Sequence, residues 1–272
     1  MYNKTNIKKL ISKLFRLLFP SAKKRENIKI MFLPFYRTRH IIKSLKQIQT
    51  KLSLEDNIFQ FNNVKFFVPN YPEEAIQSHI VTHRNFYEAD ILLELDKYIP
   101  ENAMILDIGV NIGNHSLYWG LITKASKIIA FEPVSETYKT LVKNIEINNL
   151  ENRITTENIA LGKRKSSAQI ETFSFSNHGA TSLEVSKIDQ ISVISIDEYL
   201  TTSEKYDFKK NDVKGFEEQV LKGGVNTLLR CKPYLYIEIH KANFFNVSQL
   251  LDSLNAKIIE KFSEYNYLYK LS

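Results

Sequence analysis

A chain of 272 residues with 43% hydrophobic and 25% charged side chains is globular material, long enough for one large domain or a domain with an appendage. Its single cysteine, Cys231, excludes a disulfide framework and any Cys-x-x-Cys metal site, and no apolar run reaches the roughly 18–20 residues of a membrane span. The net charge of +7 is uneven: residues 1–50 hold 13 Lys/Arg against one acid, Glu26, while the remaining residues are net −5, which argues against a uniformly basic nucleic-acid binder.

Residues 6–20, NIKKLISKLFRLLFP, place apolar side chains at 7, 10, 11, 14, 17 and 18, with Lys8, Lys9, Ser12, Lys13 and Arg16 opposite and Pro20 as the stop. The spacing predicts a cationic amphipathic helix, without the unbroken apolar core and small-residue cleavage site of a secretory signal. Three surfaces fit such a helix: its own domain, a second subunit of a homo-oligomer, or an anionic membrane surface met through residues 7–19. The mixed run IKIMFLPFYRTRHIIKSLKQI continues this basic arm, which spans 1–53. Residues 54–103 lead into the core through a hairpin, FQFNNVKFFVPNYP, turning at Asn62-Asn63, and a helix over NFYEADILLELDKYI (85–99).

From 104 to 272 strand-like and helix-like segments alternate, which predicts an α/β fold with a doubly wound, parallel sheet. The strands are MILDI (104–108), KIIAFEP (127–133), RITTENIALG (153–162), YLYIEIH (234–240) and a closing EYNYLYKL (264–271). The helices are 114–122, 135–150 and FEEQVLKGGVNTLL (216–229). Between them lies a β-rich excursion with a turn at Asn177-His178-Gly179, ending in QISVISIDEYL.

The turn after the first of these strands carries Gly109 and Gly113 behind Asp107. Glycines at a strand-to-helix turn let something approach the backbone closely. The spacing lacks the middle glycine of the G-x-G-x-x-G dinucleotide fingerprint, and the carboxylate of Asp107 would repel a pyrophosphate. That sets a nicotinamide-dependent oxidoreductase aside. A ligand bearing an ammonium and a sulfonium tolerates the acid, and S-adenosylmethionine is such a ligand. Glu132, at the end of the second strand, is placed to accept hydrogen bonds from ribose hydroxyls.

These stretches resemble the FkbM-type S-adenosylmethionine-dependent methyltransferases. The resemblance is carried by FYEADILLEL, ILDIGVNIGNHSL, IIAFEPVSETYKTLVKNIEINNL, NIALG, GATSL, ISIDEYL, DFKKNDVKGFEEQVLKGG and PYLYIEIH, in order over about residues 80–245. It implies a class I, Rossmann-like, mostly parallel seven-stranded sheet and methyl transfer to an oxygen of a sugar or other small-molecule hydroxyl acceptor. A surface glycan or its precursor, methylated in a bacterial cytoplasm or at the inner face of the membrane, is the expected setting. Carried over by position, Asp107, Gly109, Asn111 and Gly113 shape the pocket for the methionine part, and Glu132 holds the ribose. Asn158 and Ala160 lie near the adenine, with Glu157 or Thr156 as further contacts. Asp212 ends the fourth strand beside the reacting centre.

The chain departs from the family where Lys209 and Asn211 take isoleucine positions and Lys214 takes an acid's. A central parallel strand is normally apolar on both faces, and an unpaired buried lysine costs several kcal/mol or shifts its pKa. Two explanations follow: a locally shortened strand with Lys209 reaching solvent, or a drifted active site in a protein that has become a binding or regulatory module. A sugar hydroxyl is a weak acid and needs a general base. The candidates are Asp212, Glu238 and His240, the last two sharing one face of a strand end, with Glu88 and His178 as others. His115 is expected to pack or cap. No metal site is expected.

Overall fold

Met104–Ile108 (β3) is apolar except for Asp107 because Ile105, Leu106 and Ile108 are each at most 1% exposed, buried from both sides of a sheet. The computed structural model describes residues 34–172, 182–186 and 191–272, with side chains over 41–168 and 191–272. The predicted helix at 6–20, its membrane-facing segment 7–19 and the turn at Asn177-His178-Gly179 lie outside the described residues. Among those described, no helix is long and apolar enough to cross a membrane.

The chain forms two compact units, Met1–Thr50 and Lys51–Ser272. Helix α1 (Pro34–Ser53), which begins in the first, carries Arg37, Arg39, Lys43, Lys46 and Lys51 and no acid. The second unit opens with the predicted hairpin, Ile58–Phe61 (β1) and Val64–Phe67 (β2), turning at Asn62, whose φ of 49° suits an asparagine. Helix α2 (Ala75–His83), not anticipated from the sequence, and helix α3 (Ala89–Leu95) follow. Helix α3 is shorter than the predicted 85–99 because Glu88 is left-handed, at φ 57°, and breaks the helical path before Ala89.

Seven strands then form one sheet: β3, Lys127–Phe131 (β4), Ile154–Glu157 (β5), Phe208–Asn211 (β10), Tyr234–Glu238 (β11), Ala256–Lys261 (β12) and Asn266–Leu271 (β13). Their order is β12-β13-β11-β10-β3-β4-β5, parallel from β11 to β5, with β13 antiparallel to both its neighbours. This is the class I, Rossmann-like architecture expected. Helices Asn114–Ile122 (α4) and Ser135–Glu146 (α5) pack with the hairpin, α2 and α3 on the face bearing Ile105, Ile128 and Phe208. The opposite face, with Leu106, Ile129 and Leu235, is covered by Ile196–Tyr199 (α6), Glu217–Lys222 (α7), Val225–Cys231 (α8) and Phe244–Ser253 (α9).

Two segments divide where a single element was predicted. The strand expected over 153–162 ends at Glu157, and Ala160–Leu161 (β6) joins a second sheet with Ser166–Thr172 (β7), Ser182–Ser186 (β8) and Ile191–Ile194 (β9), in the order β6-β9-β7-β8. The helix expected over 216–229 breaks at Gly223-Gly224. A Cβ at Gly223 would stand 1.8 Å from the carbonyl oxygen of Gly162, so this crossing of backbones requires glycine. Helix α9 and the edge strand β12 were not predicted.

Candidate active site

The turn between β3 and α4 is fixed by its neighbours. Gly109, Asn111 and Gly113 all have positive φ, at 74°, 53° and 91°. The N–H groups of Gly109 and Val110 donate to the carbonyl of Phe131, at 3.0 and 3.3 Å. A Cβ at Gly109 would lie 1.8 Å from the carbonyl oxygen of Asp212, and one at Gly113 2.6 Å from Leu141 Cδ1. The close approach that the glycines permit is therefore, in the first place, by this chain's own atoms.

Glu132 ties the turn to β4. Its Oε2 accepts the N–H of Asn111 at 2.9 Å and its Oε1 that of Val134 at 2.9 Å. Burial pushes its carboxyl up to about 7, against the pull of those two N–H donors. Two N–H contacts leave lone pairs on the carboxylate for further donors.

Asp107 is fully buried and engaged. Lys210 Nζ stands 3.2 Å from its Oδ1, Ser116 Oγ donates to its Oδ2 at 2.6 Å, and Lys210 also donates to the Gly109 carbonyl at 2.9 Å. Burial lowers the Lys210 pKa, but Asp107 and then Asp212 outweigh it and hold the ammonium above its ordinary range. The charge expected to select a cationic ligand at Asp107 is thus balanced within the protein, which corrects the electrostatic argument made for that residue.

On the other sheet face the turn borders a small apolar cleft, open in part to solvent, lined by Ile108 and Gly109, Phe131 and Pro133, Ile159 to Leu161, and Val213 with Phe216. Ala160 is part of this wall. Asn158 is exposed, and its amide donates to the carbonyls of Glu132 (2.8 Å) and Pro133 (3.2 Å). Glu157 turns away to accept the Tyr199 hydroxyl at 2.8 Å, and Thr156 meets the Tyr138 hydroxyl.

The Asp107 face carries a second cluster at the strand ends. Lys214 lies 3.5 Å from Asp212 Oδ1 and 2.5 Å from Glu238 Oε1. Burial lowers the Lys214 pKa, yet Asp212 and Glu238 raise it well above normal, while burial and Asp212 raise that of Glu238. Glu88 and buried His115 stand nearby, with His115 Nε2 3.3 Å from Glu88 Oε2. The Asn114 amide clamps Tyr87, accepting its N–H and donating to its carbonyl, both at 2.9 Å. Strand β11 stops at Glu238, so Glu238 and His240 do not share a strand face as expected. His240 is exposed, and its backbone N–H donates to Glu217 Oε1 at 3.3 Å.

Strand β10 is not shortened, and Lys209 does not reach solvent. Lys209 and Asn211 are 0% exposed, and Lys209 Nζ and both amide atoms of Asn211 lack hydrogen bonds. Burial drives the Lys209 amine down to about 7, with Asp197 the charge opposing that fall.

With Asp107 and Lys210 cancelling, Glu88, Asp212 and Glu238 outnumber Lys214 by two charges. A cationic ligand group is favoured beside them, and the cleft across the turn offers an apolar wall. Sequence reasoning missed Lys210, Tyr87 and Tyr236 here. The strand register Lys210↔Asp107 and Lys210↔Tyr236 brings the first and last to Asp107, and Asn114 holds Tyr87.

The profile of the methyltransferase FkbM domain matches residues 107–269, more than half of the chain. "Methyltransferase 1" of Beauveria bassiana is 39% identical over 51 residues, 19% of this chain and 20% of that protein. "Methyltransferase sdnD" of Sordaria araneosa is 42% identical over 50 residues, 18% of this chain and 19% of that protein. The matched stretch thus spans about a fifth of each curated relative. The crystal structure of methyltransferase FkbM from Methylobacillus flagellatus KT superposes with a TM-score of 0.45 at 15% identity, covering 86% of this chain and 60% of that one.

Proposed function

Since the chain belongs to the FkbM methyltransferase domain family, we propose that it is an S-adenosylmethionine-dependent O-methyltransferase acting on a hydroxyl of a sugar. One observation supports the cofactor reading above the others. A single tight turn separates an apolar cleft from a carboxylate cluster, with Glu132, at the end of β4, hydrogen-bonded to the turn. Adenine, ribose and a cationic sulfur need those three environments in that order.

The bound cofactor supplies a methyl group already activated for transfer. Glu132 accepts the ribose hydroxyls on the lone pairs that Asn111 and Val134 leave free. Phe131, Pro133 and Phe216 offer the base an apolar wall. The protein mainly holds the acceptor oxygen in line. Asp212 takes the acceptor proton, and Lys214, itself paired with Glu238, holds the carboxylate through Oδ1.

A second reading has its own observation: Lys214, at the family's acid position, pairs with both Asp212 and Glu238 beside the reacting centre. A catalytically drifted binding module would keep cofactor affinity and lose turnover.

Isothermal titration calorimetry tests the cofactor site that both readings share, and turnover of a glycan acceptor separates the two. S-adenosylhomocysteine should bind and NAD should not. Glu132→Ala should weaken S-adenosylhomocysteine by about 10–100-fold, the worth of hydrogen bonds to a charged acceptor. Unchanged affinity in that variant, or binding of NAD in place of S-adenosylhomocysteine, contradicts the proposal.

A further inference from the structure

Beside the carboxylate cluster, the protein presents aromatic rings that the transfer chemistry above does not use. On α2, His79 and His83 stack at 4.2 Å between ring centroids, with 29° between planes. Tyr87 meets His79 edge-on at 5.3 Å. His83 is exposed, and His79 and Tyr87 are half-buried, so the rings face solvent in part. The platform adjoins the site: Tyr87 precedes Glu88 in the chain, and Asn114, which clamps Tyr87, is followed by His115, 3.3 Å from Glu88 Oε2.

Glu88 is the hinge between platform and cluster. It sits at φ 57°, a conformation costly for a residue with a Cβ, and it is held there by the Asn114 clamp on Tyr87. His115 is only 7% exposed at its side chain, and its Nδ1 lies 3.5 Å from the Asn114 amide nitrogen. That leaves Nε2–H pointing at Glu88, 3.3 Å away but without an aligned hydrogen bond. The arrangement leaves a partly exposed carboxylate beside a buried imidazole, next in the chain to the Tyr87 ring.

The outer face of exposed His83, backed by the stacked His79 ring with Tyr87 edge-on beyond it, lies near a carboxylate and matches the two sides of a pyranose: a C–H face stacks on an exposed ring while hydroxyls donate to the carboxylate. We propose that His79, His83 and Tyr87, with Glu88 beside them, form the acceptor subsite and bind an uncharged pyranose. This rests on the sugar-acceptor reading above and specifies where the sugar lies. Glu88 is an acceptor contact here, while the proton goes to Asp212.

The test uses the labelled full-length protein, saturated with S-adenosylhomocysteine, on a printed array of neutral, acidic and amino glycans. Binding to a set of neutral glycans is expected, weakened about tenfold by His83→Ala and by Tyr87→Leu, the worth of one aromatic contact. Tyr87→Phe, which keeps the ring, should bind within about threefold of the natural protein. All three variants should retain S-adenosylhomocysteine affinity by calorimetry, which also shows that they fold. No glycan bound by the natural protein, or equal binding by His83→Ala and Tyr87→Leu, overturns the subsite. Failure of the natural protein to bind S-adenosylhomocysteine would instead overturn the proposed function.

Discussion

Replacing Lys210 by methionine should destabilise the protein by about 3–5 kcal/mol, the usual cost of removing one partner from a buried ion pair. Lys210 is 2% exposed and satisfies both Asp107 and the Gly109 carbonyl. Without it, Asp107 stays fully buried with the Ser116 hydroxyl as its remaining partner. The Gly109 turn also loses the donor that ties it to β10. Urea denaturation measures the loss directly. Combining Lys210→Met with Asp107→Asn should recover part of it, because the second change removes the orphaned charge. A loss below about 1 kcal/mol would mean that the pair is not buried as described.

One residue earlier, the same substitution should act in the opposite direction. Lys209→Met should stabilise the protein at pH 7 by about 1–4 kcal/mol, the range seen when buried charges give way to apolar groups of similar volume. Lys209 points to the other sheet face, among Leu106 and Leu235 by register, and its amine has no hydrogen bond. Its folded-state pKa of about 7 lies below the value near 10.4 of an unfolded chain. Between those values the unfolded state binds more protons, so the natural protein gains stability as pH rises. The advantage of Lys209→Met is therefore full at pH 7 and below and shrinks toward pH 10. Urea titrations at pH 6.5 and 9.5 check the sign. A destabilised variant, or a gain that does not change with pH, contradicts the assignment. Adjacent lysines on opposite faces of one strand thus differ because one has a carboxylate opposite it and the other does not.

Much of this architecture is legible in the sequence where local signals agree. Met104–Ile108 and Asn114–Ile122 fall at their predicted bounds because an apolar run, a glycine turn and a helical stripe follow one another within 20 residues. The edge strand Ala256–Lys261 was missed because most of its residues are exposed and its apolar signal is weak. The break at Gly223-Gly224 depends on the backbone of Gly162, far away in the chain.

The site divides in the same way. Glu132 could be placed from its position at a strand end, and the structure sets it against the Gly109 turn. Asp107 could not be read correctly alone, since its charge is cancelled by a residue 103 positions later that only strand register brings near. The glycines raised the right question, but part of the answer is the Asp212 carbonyl. The Tyr87 clamp depends on the Asn114 amide, and no periodicity in the sequence marks that contact.

The central claim is that one crevice, floored by the Gly109 turn and edged by Glu132, receives the sulfur nucleoside. A crystal structure of the protein grown with S-adenosylhomocysteine tests it most directly. The adenine should lie against Ile108, Phe131 and Phe216, with the ribose on Glu132 and the sulfur turned toward Asp212. Nucleoside density elsewhere on the protein, or an empty crevice at saturating nucleoside, would contradict the account.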